Sequence, residues 1–195
     1  MGKWTRRGVL SAGVLGGTGL VIGIAVRPGN PTETVGHLVA GEGENLLHIY
    51  LKIDSENRAT AILPHSEMGQ GAQTALTQML AEEMDADWDN IHIRQAIASP
   101  MYGNPNKEGR QTIGNSDSII GYYEVLRKIG AAARYMLIEA AAKNMNTAKE
   151  DLIIEKSIIF DKNTGENRSF GELVDIAASL DLPTDFPLKE KSDSP

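Results

Sequence analysis

A chain of 195 residues with 41% hydrophobic and 23% charged residues has the make-up of an ordinary globular protein, either one domain or a small domain with extensions. A net charge of −7, with 5% aromatic residues and no basic patch, excludes nucleic-acid binding as the leading expectation. No cysteine is present, which excludes disulfides and thiolate ligands for zinc or iron–sulfur clusters within this chain.

Residues 1–27 read as an export signal or anchor. Arg6 and Arg7 precede an uncharged, glycine-rich run from Gly8 to Val26, and the segment holds Lys3, Arg6, Arg7 and Arg27 with no acid. The paired arginines resemble a twin-arginine export signal, which a receptor reads as an address. A retained membrane anchor is the alternative, because Val9 to Val26 as a helix would span ~27 Å, close to a bilayer core. Either way the expected location is periplasmic, free or anchored to the periplasmic face of the inner membrane. Residues 28–44, opening on Pro28-Gly29-Asn30-Pro31, read as a polar linker.

Residues 45–182 form the expected domain. Leu47, Ile49, Leu51 and Ile53 alternate with His48, Tyr50 and Lys52, the period of a half-buried strand. A turn at Asp54-Ser55-Glu56-Asn57 returns the chain as a second strand, Arg58 to Leu63. The chain then enters Ser66-Glu67-Met68-Gly69-Gln70-Gly71-Ala72-Gln73-Thr74, where it must turn from extended to helical. Free backbone N–H groups at such a turn can seat a phosphate or another anion, although an ordinary strand–loop–helix connection would look the same. The helix Thr74 to Met84 carries Leu76, Met79, Leu80 and Met84 on one side. Glu82, Glu83 and Asp85 crowd its last turn, against the helix dipole, and read as a solvated face. A third strand, Asn90 to Ala98, turns Ile91 and Ile93 inward and His92 and Arg94 outward.

The loop from Pro100 to Asn115 is longer than a connector needs, and long loops tend to be functional. It ends in Thr112-Ile113-Gly114-Asn115-Ser116-Asp117-Ser118, opening a second helix, Ser118 to Lys143, with Asp117 or Ser118 as cap. Tyr122, Leu126, Ile129, Ala133, Leu137 and Ala140 form its buried stripe, and the alanines of residues 130–142 offer small faces that expect another layer. Two glycine–hydroxyl turns thus open two helices, and both could converge on one anionic ligand. Strand Leu152 to Phe160, broken near Glu155-Lys156, and a short helix behind the capping box Ser169-Phe170-Gly171-Glu172 complete the domain. Residues 183–195 read as a tail toward a further domain.

The reactive chemistry is missing. His37, His48, His65 and His92 are scattered without ligand spacing, no nucleophile–base arrangement stands out, and Glu67 reads as a helix N-terminal charge. No catalytic residue and no metal ligand is assigned. The chain reads as an α+β cofactor cradle, mixed strands with helices packed on one side.

Several stretches together resemble a known family. Ser66-Glu67-Met68-Gly69-Gln70-Gly71, the acidic helix with Asp87-Trp88, the helix from Tyr122 to Arg134, and Phe170-Gly171-Glu172-Leu173 with Pro187-Leu188-Lys189 follow in order. They resemble the N-terminal portion of the molybdopterin-binding large subunit of isoquinoline 1-oxidoreductase type (beta-type, aldehyde dehydrogenase-like), in the xanthine oxidase and aldehyde oxidase superfamily. The resemblance implies a molybdenum oxidoreductase that hydroxylates aldehydes or N-heterocycles with oxygen from water. It also implies molybdopterin cytosine dinucleotide as cofactor and an iron–sulfur partner subunit with [2Fe-2S] clusters. Met68, Gly69, Gln70 and Gly71, with Gly114, Asn115 and Ser116, match the two cofactor-contacting turns. Asn115 stands where the family has glycine, and asparagine takes positive φ less freely. The family's catalytic glutamate lies downstream of this stretch. The chain alone is therefore expected to be inactive, as a fragment, a truncated product or one piece of a split subunit. The alternative reading is a truncated, non-catalytic exported α+β protein, or a binding module that joins a separately encoded remainder.

Overall fold

The computed structural model describes residues 44–48, 50–180 and 186–190, with side chains from Tyr50 onward. The signal at 1–27, all but the last residue of the 28–44 linker, His37, the His48 side chain and most of the 183–195 tail lie outside the described residues. The fold is α+β, as expected. One sheet takes β1 (Glu44–His48), β2 (Leu51–Asp54), β3 (Ala59–Leu63) and β4 (Ile91–Gln95) in that spatial order. β1–β2 and β2–β3 pair antiparallel, whereas β3–β4 pair parallel, with Ala61 opposite Ile93. Parallel neighbours need a crossover, and helix α1 (Ala72–Met84) supplies it. The β3–α1–β4 unit places the loops leaving β3 and β4 at the same end of the sheet.

Helix α2 (Asp117–Met145) crosses α1 and α3 (Phe170–Ala178). A second small antiparallel sheet holds β5 (Leu152–Glu155), β6 (Ile158–Asp161) and β7 (Asn167–Ser169). One core joins Leu51, Ile53, Ile62 and Leu63 of the first sheet to Leu76 and Leu80 of α1. Leu126 and Leu137 of α2, Ile159 of β6 and Phe170 and Leu173 of α3 complete it. The expected stripe of α2 is buried throughout, and α3 opens on the expected capping box between Ser169 and Glu172.

Several expectations change. The alternating run from Leu47 to Ile53 is two strands folded back on each other, His48 opposite Leu51, rather than one. Alternation survives a tight hairpin, so periodicity could not reveal it. Ile93 is 41% exposed because β4 is the sheet edge and nothing described covers its outer faces. The run Leu152 to Phe160 is a hairpin turning at Lys156 and Ser157, both with positive φ. α2 begins at Asp117 behind Ser116, whose side chain makes no capping bond. The layer its alanines expect lies largely within the chain: Ala131, Ala133, Ala140 and Ala141 are buried.

The acidic end of α1 is not a solvated face. Glu83 is 2% exposed, its Oε1 2.5 Å from an Arg127 guanidinium nitrogen, while its Oε2 accepts from the Lys189 backbone N–H at 3.1 Å. Lys189 Nζ meets Asp85 at 2.5 Å, and Arg134 donates to the Pro187 carbonyl at 2.8 Å. These contacts clamp residues 186–190 across α1 and α2. Gly130 allows the helices to approach: a Cβ there would lie 2.7 Å from Glu83 Cβ and 2.8 Å from the Leu80 carbonyl oxygen. Positive side chains from α2 and the C-terminal segment thus offset what the α1 dipole disfavours.

Candidate cofactor cradle at the strand ends

β3 ends at Leu63, Pro64 and His65 follow it still buried, and the chain surfaces from Ser66 to Gly71. Gly69 and Gly71 take φ of 92° and 72°, which an L side chain resists, and Gly71 is the N-cap of α1. Having no side chain, Gly71 cannot cap the helix, and Glu67 does so instead. Its Oε1 accepts the N–H groups of Gly69 at 2.8 Å and Gly71 at 2.9 Å, and its Oε2 that of Gln73 at 3.2 Å. These bonds, that from Gly71 foremost, hold the Glu67 carboxyl below its usual range. Its expected helix-terminal role is therefore seen. It has a consequence for the anion seat: those three N–H groups already have an anion, and it belongs to the chain.

Gln70 does not point its amide outward. Its Oε1 accepts from the Met68 N–H at 2.6 Å and its Nε2 donates to the Ser66 carbonyl at 2.8 Å, so it braces the turn from within. Met68 is left 73% exposed. Gln73 ties the turn to the sheet, its Nε2 donating to the His65 carbonyl at 2.6 Å and to Gln95 Oε1 on β4 at 3.1 Å.

The second loop has internal structure. Ser99 and Asn104 cap one-turn 3-10 helices at Pro100–Tyr102 and Pro105–Lys107, and Asn104 bridges Arg110 through the backbone. Gln111 joins it to the first loop. Its Nε2 donates to the Ile97 carbonyl at 3.3 Å and, more weakly, to the Pro64 carbonyl at 3.5 Å; its Oε1 accepts from the Ser99 N–H at 3.0 Å. The first turn begins just after Pro64 and the second just after Gln111, so this amide ties together the segments that lead into the two turns. Gly114, Asn115 and Ser116 follow, exposed, and both Asn115 (φ 54°) and Ser116 (φ 55°) take the left-handed conformation despite their side chains. Asp117 is held by Lys107 at 2.7 Å and by Asn106 at 3.4 Å, and the Lys107 bond foremost lowers its pKa.

All seven expected residues therefore fall in two exposed turns, each opening a helix, and Gln111 links the segments that lead into them. The turns differ in chemistry: the N-terminus of α1 is closed by Glu67, and that of α2 has no side-chain cap. Sequence reasoning missed Gln73 and Gln111. Neither glutamine carries a periodic or spacing signal: Gln73 sits in the first turn of α1 and Gln111 in a loop, and their partners on β4 and at Pro64 lie far away in the sequence. No cluster of three or more His, Cys, Asp or Glu able to hold a metal occurs among the described residues. No helix among them is long and apolar enough to cross a membrane.

A family model described as a molybdopterin cofactor-binding domain matches residues 5–192. The chain belongs to this family. The beta subunit of the isoquinoline 1-oxidoreductase of Brevundimonas diminuta is 36% identical over 141 residues, covering 72% of this chain and 18% of that protein. The membrane-bound aldehyde dehydrogenase (pyrroloquinoline-quinone) of Gluconacetobacter polyoxogenes is 30% identical over 172 residues, 87% of this chain and 21% of that protein. A nicotinate dehydrogenase subunit of Pseudomonas putida is 30% identical over 151 residues, 77% of this chain and 12% of that protein. The chain thus spans about a fifth or less of the length of these relatives. The expected membership in a molybdenum-cofactor family is established, and both candidate turns lie inside the matched stretch.

Proposed function

We propose that this molybdopterin cofactor-binding domain holds the cofactor within the large subunit of a molybdenum hydroxylase that oxidises aldehydes or N-heterocycles. The observation that carries the reading is the Gln111 bridge to the Pro64 carbonyl, which ties together the segments leading into the Gly69–Gly71 and Gly114–Ser116 turns. The residues fit a large polar cofactor unevenly. Glu67 closes the first turn to a phosphate, so Met68, Gly69, Gln70 and Gly71 suit neutral or apolar parts of a ligand. The second turn, with Gly114, Asn115, Ser116 and the uncapped N-terminus of α2, is the better seat for a phosphate. When bound, the molybdenum cofactor supplies the oxygen-transfer and electron-accepting chemistry. The chain's own residues bind and orient: Gln70 keeps the first turn in shape, Gln73 ties it to β4, Gln111 links the loop behind the second turn to Pro64, and Met68 offers an apolar contact. No described residue is assigned as the proton-transferring base.

The finer reading takes the cofactor as molybdopterin cytosine dinucleotide, passes electrons to a [2Fe-2S] partner subunit, and has a twin-arginine signal at residues 1–27 deliver the protein through the translocase to the periplasm. What supports it is the order of motifs along the chain and the arginine pair.

Co-expression with the iron–sulfur subunit and the downstream remainder, followed by metal analysis, tests the reading. A purified complex without molybdenum sinks it. In that complex Gln70→Ala lowers molybdenum and cytidine nucleotide content while the domain stays folded; unchanged content removes Gln70 from the cradle. Replacing both Arg6 and Arg7 by lysine blocks periplasmic delivery, and normal delivery would mean another route.

A further inference from the structure

His65 is 1% exposed, and neither ring nitrogen has a hydrogen-bond partner among the described residues. Its ring meets Tyr122 of α2 edge-on, centroids 4.8 Å apart at 84°. Tyr122 donates to the Tyr102 carbonyl at 2.6 Å, and the Tyr50 ring packs against Tyr102 at 5.1 Å and Tyr122 at 6.3 Å. The imidazole therefore sits at the edge of a nest of three buried phenol rings, directly before the exposed Ser66–Gly71 turn. A neutral imidazole with idle nitrogens is already costly there, and a ring of similar shape without nitrogens would not be. Buried groups that break the satisfaction rule in native proteins are the ones for which a role should be sought.

We propose that His65 is a proton-sensitive anchor of this turn: the neutral ring seats against Tyr122 and holds the turn, and the protonated ring leaves the nest and slackens it. The backbone makes the link direct. The carbonyls of His65 and Ser66 accept from Gln73 and Gln70, the two amides that shape the turn, so expelling the ring pulls on both bonds. Nothing described offers the imidazolium a counter-charge. Tyr122 from α2, Tyr102 from the 100–102 turn and Tyr50 from β2 have phenols whose burial favours the neutral form. Arg94 on β4 acts on Tyr102 as a cation. Glu67, on the turn itself, is committed to the N-terminus of α1. Burial alone accounts for the lowered pKa of His65. Any effect on a bound cofactor rests on the function proposed above. The anchor is a property of the chain and is tested without cofactor.

The full chain is followed by amide hydrogen exchange over residues 66–73 between neutral and mildly acidic pH, each rate divided by that of the urea-unfolded chain at the same pH. Protection of this stretch falls on acidification by roughly tenfold for each pKa unit separating folded from unfolded His65, while protection of α2 holds. In His65→Phe the protection at neutral pH is kept and its acid dependence disappears. Acid-independent protection in the wild type, or the same acid dependence in the variant, overturns the proposal. Should the variant fail to fold, the His65 ring is titrated by NMR in the wild type. A midpoint below that of the unfolded chain supports the anchor, and an equal or higher midpoint overturns it.

Discussion

Each end of α1 is organised by a glutamate, and the two ends are opposites. Glu67 at the start is exposed and takes three backbone N–H groups of its own turn. Glu83 at the finish is buried and takes Arg127 from α2 and the backbone of Lys189 from the C-terminal segment. The first arrangement is local and wet, so its bonds can be exchanged with water at small net cost. The second is long-range and desolvated, so removing one partner strands a charge. The helix is fixed at one end and adaptable at the other, and the adaptable end carries the candidate cradle.

The largest expected effect breaks the fixed end. Arg127→Ala leaves Glu83 buried without its guanidinium and should destabilise the chain by about 3–5 kcal/mol, read as a lower urea midpoint. A loss typical of an exposed ion pair would show that Glu83 is hydrated and that the two ends are alike. Gly130→Ala comes next. The added methyl would strike the Leu80 carbonyl and Glu83 Cβ, a clash costing about 1–3 kcal/mol against the ~1 kcal/mol that alanine gains in a helix. A net gain in stability would mean that the α1–α2 crossing can relax. The smallest effect belongs to the adaptable end. Because the folded-state pKa of Glu67 is lowered, its contribution is fully present above the ordinary carboxylate range and is lost as pH falls through the folded value. Glu67→Gln should therefore lower stability slightly at neutral pH and flatten the acid limb of the stability–pH curve, the two chains converging as the wild-type carboxyl protonates. An effect there as large as that of Arg127→Ala would erase the contrast.

Much of the architecture was legible because it rests on local rules. The apolar spacing of Leu76, Leu80 and Met84 marked α1, the stripe from Tyr122 to Ala140 marked α2, and Ser169 with Glu172 marked the start of α3. Both candidate turns were legible too, since Gly69 and Gly71 announce backbone conformations that other residues avoid. What was not legible was the direction of polar side chains. Gln70 bonded back onto its own turn, Glu67, read correctly as a helix-terminal charge, took the same N–H groups that were offered to an outside anion, and Glu83 went under Lys189 rather than into solvent. Each choice depends on partners within hydrogen-bond reach, and sequence spacing does not report distance between segments as far apart as Glu83 and Lys189. Strand ends failed for a related reason: Leu47 to Ile53 alternates equally well as one strand or as two folded together.

By itself, then, the amino-acid sequence determined the acidic α+β chain, its helices and turns, and through the order of its motifs the family to which it belongs. Propensity, periodicity and glycine conformation act over a few residues and can be read there. Only the tertiary structure decided that the segments leading into the two turns are linked, because that needs the parallel pairing of β3 with β4 and the reach of Gln111 to Pro64. It also decided which end of α1 is locked, because the strength of a glutamate's contacts depends on how much water the fold leaves around it.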